Sequence, residues 1–243
     1  NMEQLRWSKY VSNLIVSPDI LGVELGNNHI RYSGNHELAY LGPGYFTHNN
    51  SIRSLLGLRD NEPYCLMRFI SWGASHDYYQ KGFSNSDKQE ILNTLSRKYK
   101  VFISSEGKIP SNFEKYRFPL KPDMIHDLLA GADFVISEGA TISAEAGVLG
   151  IPSIYINSTE RCYNLEHLNE YGLVYICRSL DDVKIRLKEI ISTPDYKKEF
   201  KIRQESFLQS KIDVTSFLTW LIEDYPTSKR IMLSNPDYHL NFQ

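Results

Sequence analysis

The sequence has few cysteines and no long apolar run. Its three cysteines, Cys65, Cys162 and Cys177, lie far apart and form no CxxC pair, which argues against a disulfide framework and against a zinc site. The longest apolar stretches, such as residues 64–72, are too short to span a bilayer. We therefore expect a cytoplasmic protein, and a peripheral association with the inner face of the membrane is the alternative.

An excess of charge of one sign is also missing. Lys and Arg number 27 against 29 Asp and Glu, so no global positive field favours binding to nucleic acid. The sequence has no His and Cys cluster with the spacing of metal ligands, and Asp181 and Asp182 are better explained as charge at a helix start. We expect neither a nucleic-acid partner nor a bound metal or cofactor.

The composition, with 42% hydrophobic and 23% charged residues, is typical of a globular protein. Between residues 63 and 192, short β-rich runs alternate with helical segments, which predicts βαβ units and a doubly wound parallel sheet of the α/β class. The predicted strands cover residues 64–72, 101–105, 134–137, 153–157 and 173–177. The predicted helices cover residues 87–98, 122–131, 140–149, 164–171 and 180–191.

The two ends of the sequence do not continue this alternation. A candidate strand lies at residues 13–17, and the stretch 26–50 is rich in Gly, Asn, His and Tyr without a clear period, as in a connection between domains. Residues 196–224 have the amphipathic pattern of one long helix. Its large apolar residues are Phe200, Phe207, Leu208, Phe217, Leu218 and Leu221. We divide the sequence into three segments, which are residues 1–50, 51–195 and 196–243.

The segment from Ser137 to Glu145 carries the most chemical information. A predicted strand ends at Ser137 and turns through Gly139 and Ala140 into a helix, whose first N–H groups and positive dipole end favour a phosphate. Glu145 follows Thr141 by four residues on the same helix face, about 6 Å along the axis, which is the step from a diphosphate to its ribose. The alternative is a solvated Glu145 and a Gly139 that only shapes the turn.

Several motifs, in order along the chain, resemble proteins of the GT-B fold. Residues 137–146, followed by Gly150 and Pro152, resemble the donor-binding motif of lipid-II-type GlcNAc transferases, and non-hydrolysing UDP-GlcNAc 2-epimerases have a similar turn and Glu-Ala pair. A closer resemblance is to a prokaryotic family of GT-B-like predicted glycosyltransferases. It is carried by residues 29–41, 68–72, 76–77, 104–106 and the donor motif. The resemblance covers about residues 28–191 and implies a Rossmann-like, C-terminal half of a GT-B architecture.

The resemblance also implies which residues contact a UDP-type sugar donor. Related proteins hold the ribose with the Glu matching Glu145, the diphosphate with the loop after the first strand of the sheet, and the nucleobase with backbone groups of a loop matching residues 118–122. The expected donor-binding set is Gly73, Ser75, His76, Glu106, Ser137, Gly139, Ala140, Thr141 and Glu145.

Three other polar residues have more than one interpretation. Glu106 follows the second strand of the sheet, where it contacts a sugar hydroxyl or base, or only caps a turn. Arg31 is a candidate for a phosphate contact or for the interdomain hinge. His126 is assigned to packing or to the surface, and no residue is identified as the catalytic base.

The resemblance leads to three functional hypotheses. The first is transfer of a hexose from a UDP-sugar to an unidentified glycan or lipid-linked acceptor, as in polysaccharide biosynthesis. The second is epimerisation of the sugar within its nucleotide, and the third is a non-catalytic donor-binding subunit. Since GT-B proteins have a whole acceptor domain before the connector, we expect residues 1–50 to be its remnant plus the connector. Turnover is then expected only when a separate N-terminal domain partner or a homodimer completes the enzyme.

Overall fold

The computed structural model describes residues 7, 10–70, 83–157 and 162–243. The β-strands in these ranges are β1 (Ile15–Pro18), β2 (His29–Tyr32), β3 (Tyr64–Phe69), β4 (Lys100–Ser105), β5 (Phe134–Ser137), β6 (Ser153–Ile156) and β7 (Val174–Cys177). The α-helices are α1 (Leu38–Leu41), α2 (Ile52–Leu55), α3 (Asn85–Leu95), α4 (Ile125–Ala130), α5 (Ala140–Val148), α6 (Tyr163–Glu170), α7 (Leu180–Ser192), α8 (Tyr196–Gln209), α9 (Val214–Glu223) and α10 (Thr227–Ser234). None of these helices is long and apolar enough to cross a membrane.

The chain divides into two compact units, one formed by Asn1–Phe46 with Ser206–Gln243 and the other by Thr47–Glu205. The second unit is built on a five-stranded parallel sheet with the strand order β4-β3-β5-β6-β7. The α/β class and the parallel sheet predicted from the sequence are confirmed. The predicted strand at 64–72 ends at Phe69 in the structure, and its last two residues lie outside the described ranges.

The sheet of Thr47–Glu205 is buried on both faces. Along β3, Cys65, Met67 and Phe69 pack in one core cluster with α3 and α7, whereas Tyr64 and Leu66 pack in a second cluster with α4 and α5. This alternation follows from the pleat, which points successive side chains to opposite faces. Burial on both faces explains why the first four residues of β3, Tyr64 to Met67, are all apolar rather than alternately polar and apolar.

The unit formed by Asn1–Phe46 and Ser206–Gln243 contains two strands. The candidate strand at 13–17 overlaps β1, whereas β2 is not predicted from the sequence. β1 pairs in parallel with β2, from Ile15 opposite His29 to Pro18 opposite Tyr32. The region predicted to be an irregular connection therefore contains a paired strand. This unit contains a cluster of aromatic rings, in which Tyr32 and Phe217 are buried and Trp220, Tyr238 and Phe242 are half-buried.

The single long helix predicted at residues 196–224 is wrong, because the structure has two helices there. α8 ends at Gln209, and α9 begins at Val214 after Asp213, whose side chain accepts a hydrogen bond from the backbone N–H of Ser216 at 2.9 Å. Such an aspartate N-cap satisfies a free N–H group of the new helix and so favours a fresh start. Four of the large apolar residues of this segment are 2% exposed or less: Phe200, Phe207, Phe217 and Leu221.

Candidate functional site

The carboxyl edge of the sheet has a topological switch point between β3 and β5. In the strand order, β4 lies on one side of β3 and β5 lies on the other. Open α/β sheets bind ligands at such a switch point. α5 begins three residues after β5 at this edge, and the N–H groups of a first helical turn have no partner within the helix.

The turn that starts α5 is fixed by Ser137 and Gly139. The hydroxyl of Ser137 accepts a hydrogen bond from the N–H of Gly139 at 2.9 Å and donates to the carbonyl of Gly139 at 2.8 Å. A Cβ atom at Gly139 would lie 3.1 Å from the side chain of Ile70, at the end of β3. A larger residue would push the Ile70 side chain by a few tenths of an ångström, so glycine favours close packing of the turn against the end of β3. Ala140 is half-buried and Thr141 is exposed in the first helical turn.

Glu145 lies in the second turn of α5 and contacts a histidine of the neighbouring helix. Its side chain is buried, and its Oε1 lies 3.2 Å from Nε2 of His126 on α4. The side chain of His126 is 30% exposed, so this pair joins the interior to the surface. The sequence analysis assigned His126 to packing or to the surface. The pairing arises from the adjacency of two helices, for which the residue spacing carries no signal.

A row of polar side chains replaces the apolar core at the carboxyl end of one sheet face. Phe102, Leu66 and Val135 occupy matching positions on β4, β3 and β5 and belong to one core cluster. Two residues further along, the matching positions are held by Ser104, Arg68 and Ser137. Since residues i and i+2 point to the same face, this polar row follows the core residues on that face at the carboxyl end of the strands.

Arg68 is the charged member of this row, and the sequence analysis did not include it among the donor contacts. Its Nη1 donates to the hydroxyl of Ser104 at 2.7 Å, and its Nη2 donates to Oε1 of Glu106 at 2.8 Å. The Arg68 side chain is 19% exposed, and that of Glu106 is 50% exposed. The predicted site residue Glu106 is thus the ion-pair partner of Arg68. The available signal was a lone charge in an otherwise apolar strand.

A pocket of about 550 Å³ lies in the first unit, whereas a pocket of about 360 Å³ opens beside the polar row in Thr47–Glu205. The smaller pocket is lined by Arg68, Ile103, Ser104, Ser105, Arg117, Phe118, Leu120, Pro122, Ile125 and Ile142. Its outer wall is the loop expected from the resemblance to lie near a nucleobase. That loop is held against β4, because the N–H of Phe118 donates to the carbonyl of Ile103 at 2.8 Å.

A buried ion pair supports the start of α5 from below. Both carboxylate oxygens of Glu138 contact the ammonium of Lys88, at 2.9 and 3.1 Å. The same carboxylate accepts hydrogen bonds from the backbone N–H groups of Ile70 and Phe83. Lys88 also lies 4.4 Å from the centre of the Phe69 ring. Glu138 therefore joins the ends of β3 and β5 to α3, which is a structural role that the sequence analysis missed.

The remaining predicted site residues lie elsewhere. Gly73, Ser75 and His76 lie outside the described residues, so their predicted contacts stay predictions. Arg31 belongs to the first unit, where its Nη2 donates to the carbonyl of Val23 at 3.0 Å and lies 2.5 Å from a carboxylate oxygen of Glu24. A hinge or phosphate role for Arg31 also stays a prediction.

Acidic and other potential metal ligands do not converge in the described ranges. Residues 7, 10–70, 83–157 and 162–243 contain no group of three or more His, Cys, Asp or Glu side chains that could hold a metal ion. Asp182, considered above as part of an acidic pair, is in a capping box with Ser179 at the start of α7. The hydrogen bond from Ser179 lowers the pKa of Asp182, as expected for a carboxylate at a helix N-terminus.

The five-stranded parallel sheet with helices on both faces defines a Rossmann-like α/β fold, which matches that of GT-B proteins. The chain belongs to the family described as Protein of unknown function (DUF354), whose model matches residues 13–217. No curated protein matches the chain.

Three solved structures with a similar fold have low sequence identity to this chain. A Listeria monocytogenes protein assigned as a UDP-N-acetylglucosamine 2-epimerase has a TM-score of 0.51 and 10% identity over 84% of this chain and 55% of its own. The wall teichoic acid polymerase TagF has a TM-score of 0.50 and 12% identity over 96% of this chain and 62% of its own. The UDP-GlcNAc 2-epimerase of Neisseria meningitidis, bound to UDP-GlcNAc, has a TM-score of 0.48 and 13% identity over 74% of this chain and 50% of its own. The chain thus spans between half and about three fifths of these proteins.

Proposed function

We propose that the unit Thr47–Glu205 binds a nucleoside diphosphate sugar of the UDP type and serves as the donor half of a glycosyltransferase. The observation that carries this proposal is the position of the 360 Å³ pocket, which opens at the carboxyl edge of the sheet beside the start of α5. A diphosphate would lie against the N–H groups of the first turn of α5, where the helix dipole favours negative charge. The base would occupy the adjacent pocket.

The lining of this pocket suits a flat ring. Six of its ten lining residues are apolar, among them Phe118, Ile125 and Ile142. Ligand pockets commonly combine apolar residues with a few polar groups that fix the orientation of the ligand. Here the polar groups belong to Arg68, to Arg117 and to the serines of β4.

Glu145 is the proposed partner of the ribose hydroxyls. It lies three residues after the pocket residue Ile142, so the two share one face of α5. The contact with Nε2 of His126 orients the carboxylate, and a carboxylate can accept about four hydrogen bonds. Because Glu145 is buried and lies outside the pocket lining, ribose binding would extend or replace its contact with His126.

Titration of the chain with UDP, monitored by calorimetry, tests the proposal. Glu145→Ala should weaken UDP binding about 30- to 150-fold, or roughly 2–3 kcal/mol, if two charged hydrogen bonds are lost. Glu189→Ala is the matched control, because this carboxylate pairs with Arg186 on the surface of α7. A 2′,3′-dideoxy analogue of UDP should bind the original chain and Glu145→Ala equally weakly. Unchanged UDP affinity of a folded Glu145→Ala variant would remove the ribose assignment.

The proposed reaction is transfer of the sugar to a glycan or lipid-linked acceptor. Incubation with UDP-GlcNAc in the absence of acceptor, followed by NMR, distinguishes it from epimerisation. An epimerase changes the signals at C2 of the sugar without an acceptor, whereas a transferase leaves the donor largely intact. Binding without either reaction, in the presence of candidate acceptors, would favour a donor-binding subunit.

A further inference from the structure

Arg68 lies at a place where an apolar residue would complete the core. The positions before it on the same face of β3 are held by Tyr64 and Leu66, both fully buried, and the Arg68 side chain is 19% exposed. Removing a charge from water is costly unless its hydrogen bonds are replaced. The half-exposed Glu106 and the hydroxyl of Ser104 replace part of them. The location of this cation in a pocket lining therefore calls for an explanation beyond packing.

The contacts of Arg68 fix its guanidinium and leave donors for a ligand. A guanidinium has five N–H groups in a rigid plane, and the described contacts of Arg68 engage two of them, one to Ser104 and one to Glu106. The pocket's other arginine, Arg117, is differently placed, because its Nε and Nη2 both donate to the carboxylate of Glu114. Arg68 is thus the cation oriented by the sheet itself.

We propose that Arg68 is a specificity-determining residue that selects a pyrimidine with a carbonyl oxygen at ring position 4 over one with an amino group at that position. This inference rests on the proposed function. Uracil carries a carbonyl oxygen at ring position 4, to which an arginine N–H donates, whereas cytosine carries an amino group there and would bring donor against donor. Arg68 therefore favours UDP over CDP. The carboxylate of its neighbour Glu106 would accept a hydrogen bond from the cytosine amino group once the arginine is removed.

The test measures dissociation constants of UDP and CDP for the full chain and for Arg68→Met. The two nucleotides share ribose and diphosphate, so general damage to the site weakens both equally and leaves the CDP-to-UDP ratio of dissociation constants unchanged. Loss of base reading lowers this ratio, and we expect about a tenfold decrease. Methionine keeps much of the apolar stem of arginine, which limits the loss of packing. Arg186→Met, which removes a surface arginine of α7 paired with Glu189, should leave the ratio unchanged.

A second variant keeps the inference testable if Arg68→Met does not fold. Ser104→Ala removes one anchor of the guanidinium without changing charge, and it should lower the ratio in the same direction by a smaller factor. Suppose that the original chain binds UDP and that the CDP-to-UDP ratio of dissociation constants is unchanged in whichever of Arg68→Met and Ser104→Ala folds. This result overturns the role of Arg68 and leaves the proposed function intact. An original chain that binds no nucleoside diphosphate overturns both.

Discussion

The buried pair of Lys88 and Glu138 makes a sharp prediction about stability. The side chains are 11% and 1% exposed, so replacement of either partner leaves the other in a poorly solvated place. Removing one member of a buried ion pair typically costs about 3–5 kcal/mol. For Lys88→Met we expect the lower end, about 3 kcal/mol, because the Glu138 carboxylate keeps its hydrogen bonds from Ile70 and Phe83.

Glu138→Gln should cost less than Lys88→Met. Glutamine keeps an acceptor oxygen for one backbone N–H group, and the ammonium of Lys88, which is more exposed than the Glu138 carboxylate (11% against 1%), remains near the Phe69 ring. The double variant should be more stable than the sum of the single losses predicts, with a coupling free energy of at least about 1 kcal/mol. This recovery arises because the double variant buries neither charge alone.

Equilibrium unfolding in urea, followed by circular dichroism, measures these differences through the shift of the midpoint at constant m-value. Lys184→Met is the matched control, because Lys184 pairs with Glu90 on the surface, where both side chains are about half exposed. This variant should unfold like the original chain. A loss below about 0.5 kcal/mol for Lys88→Met, or strictly additive losses in the double variant, would refute the reasoning.

Two further predictions concern other parts of the chain. Burial opposes ionisation of Asp213, but hydrogen bonds from Ser216 and Tyr45 outweigh the effect of burial and lower the pKa of Asp213. The stability gained from this carboxylate is present above its unfolded pKa of about 4, and it is lost as the pH falls through the lower folded pKa. Tyr45→Phe should therefore reduce the melting temperature at pH 7, and the difference should shrink in acid; a pH-independent difference contradicts this. Gly150 and Gly57 both have a positive φ, of 75° and 64°. Gly150→Ala should lower the free energy of unfolding more than Gly57→Ala does, because only a Cβ at position 150 would lie 2.9 Å from the Gln204 side chain. Left-handed strain alone costs about 1–2 kcal/mol, so equal losses would remove the contact with Gln204 as a cause.

The strands of the parallel sheet could be predicted from the sequence because short apolar runs and turn residues mark them locally. In β5, the apolar run and the turn at Gly139 mark the start and the end of the strand, and the predicted range 134–137 agrees with Phe134–Ser137. Helix starts were less well placed. α3 begins at Asn85 rather than at 87, because Ser84 and Asp87 form a capping box. The break before α9 also had a local signal in Asp213 and Ser216, which the long amphipathic pattern obscured.

The tertiary structure alone decided which polar groups meet at the carboxyl edge. The spacing of Gly139 and Glu145 can be read along one helix, and it led to the donor-binding hypothesis. The pairing of Glu145 with His126, of Glu138 with Lys88, and of Arg68 with Ser104 and Glu106 joins residues 19 to 50 positions apart. Such contacts depend on strand order and on which helix covers which face of the sheet, and the hydrophobic pattern that builds the layers does not specify them. The sequence therefore determined the layers, whereas the packing of the layers determined the chemistry at their edge.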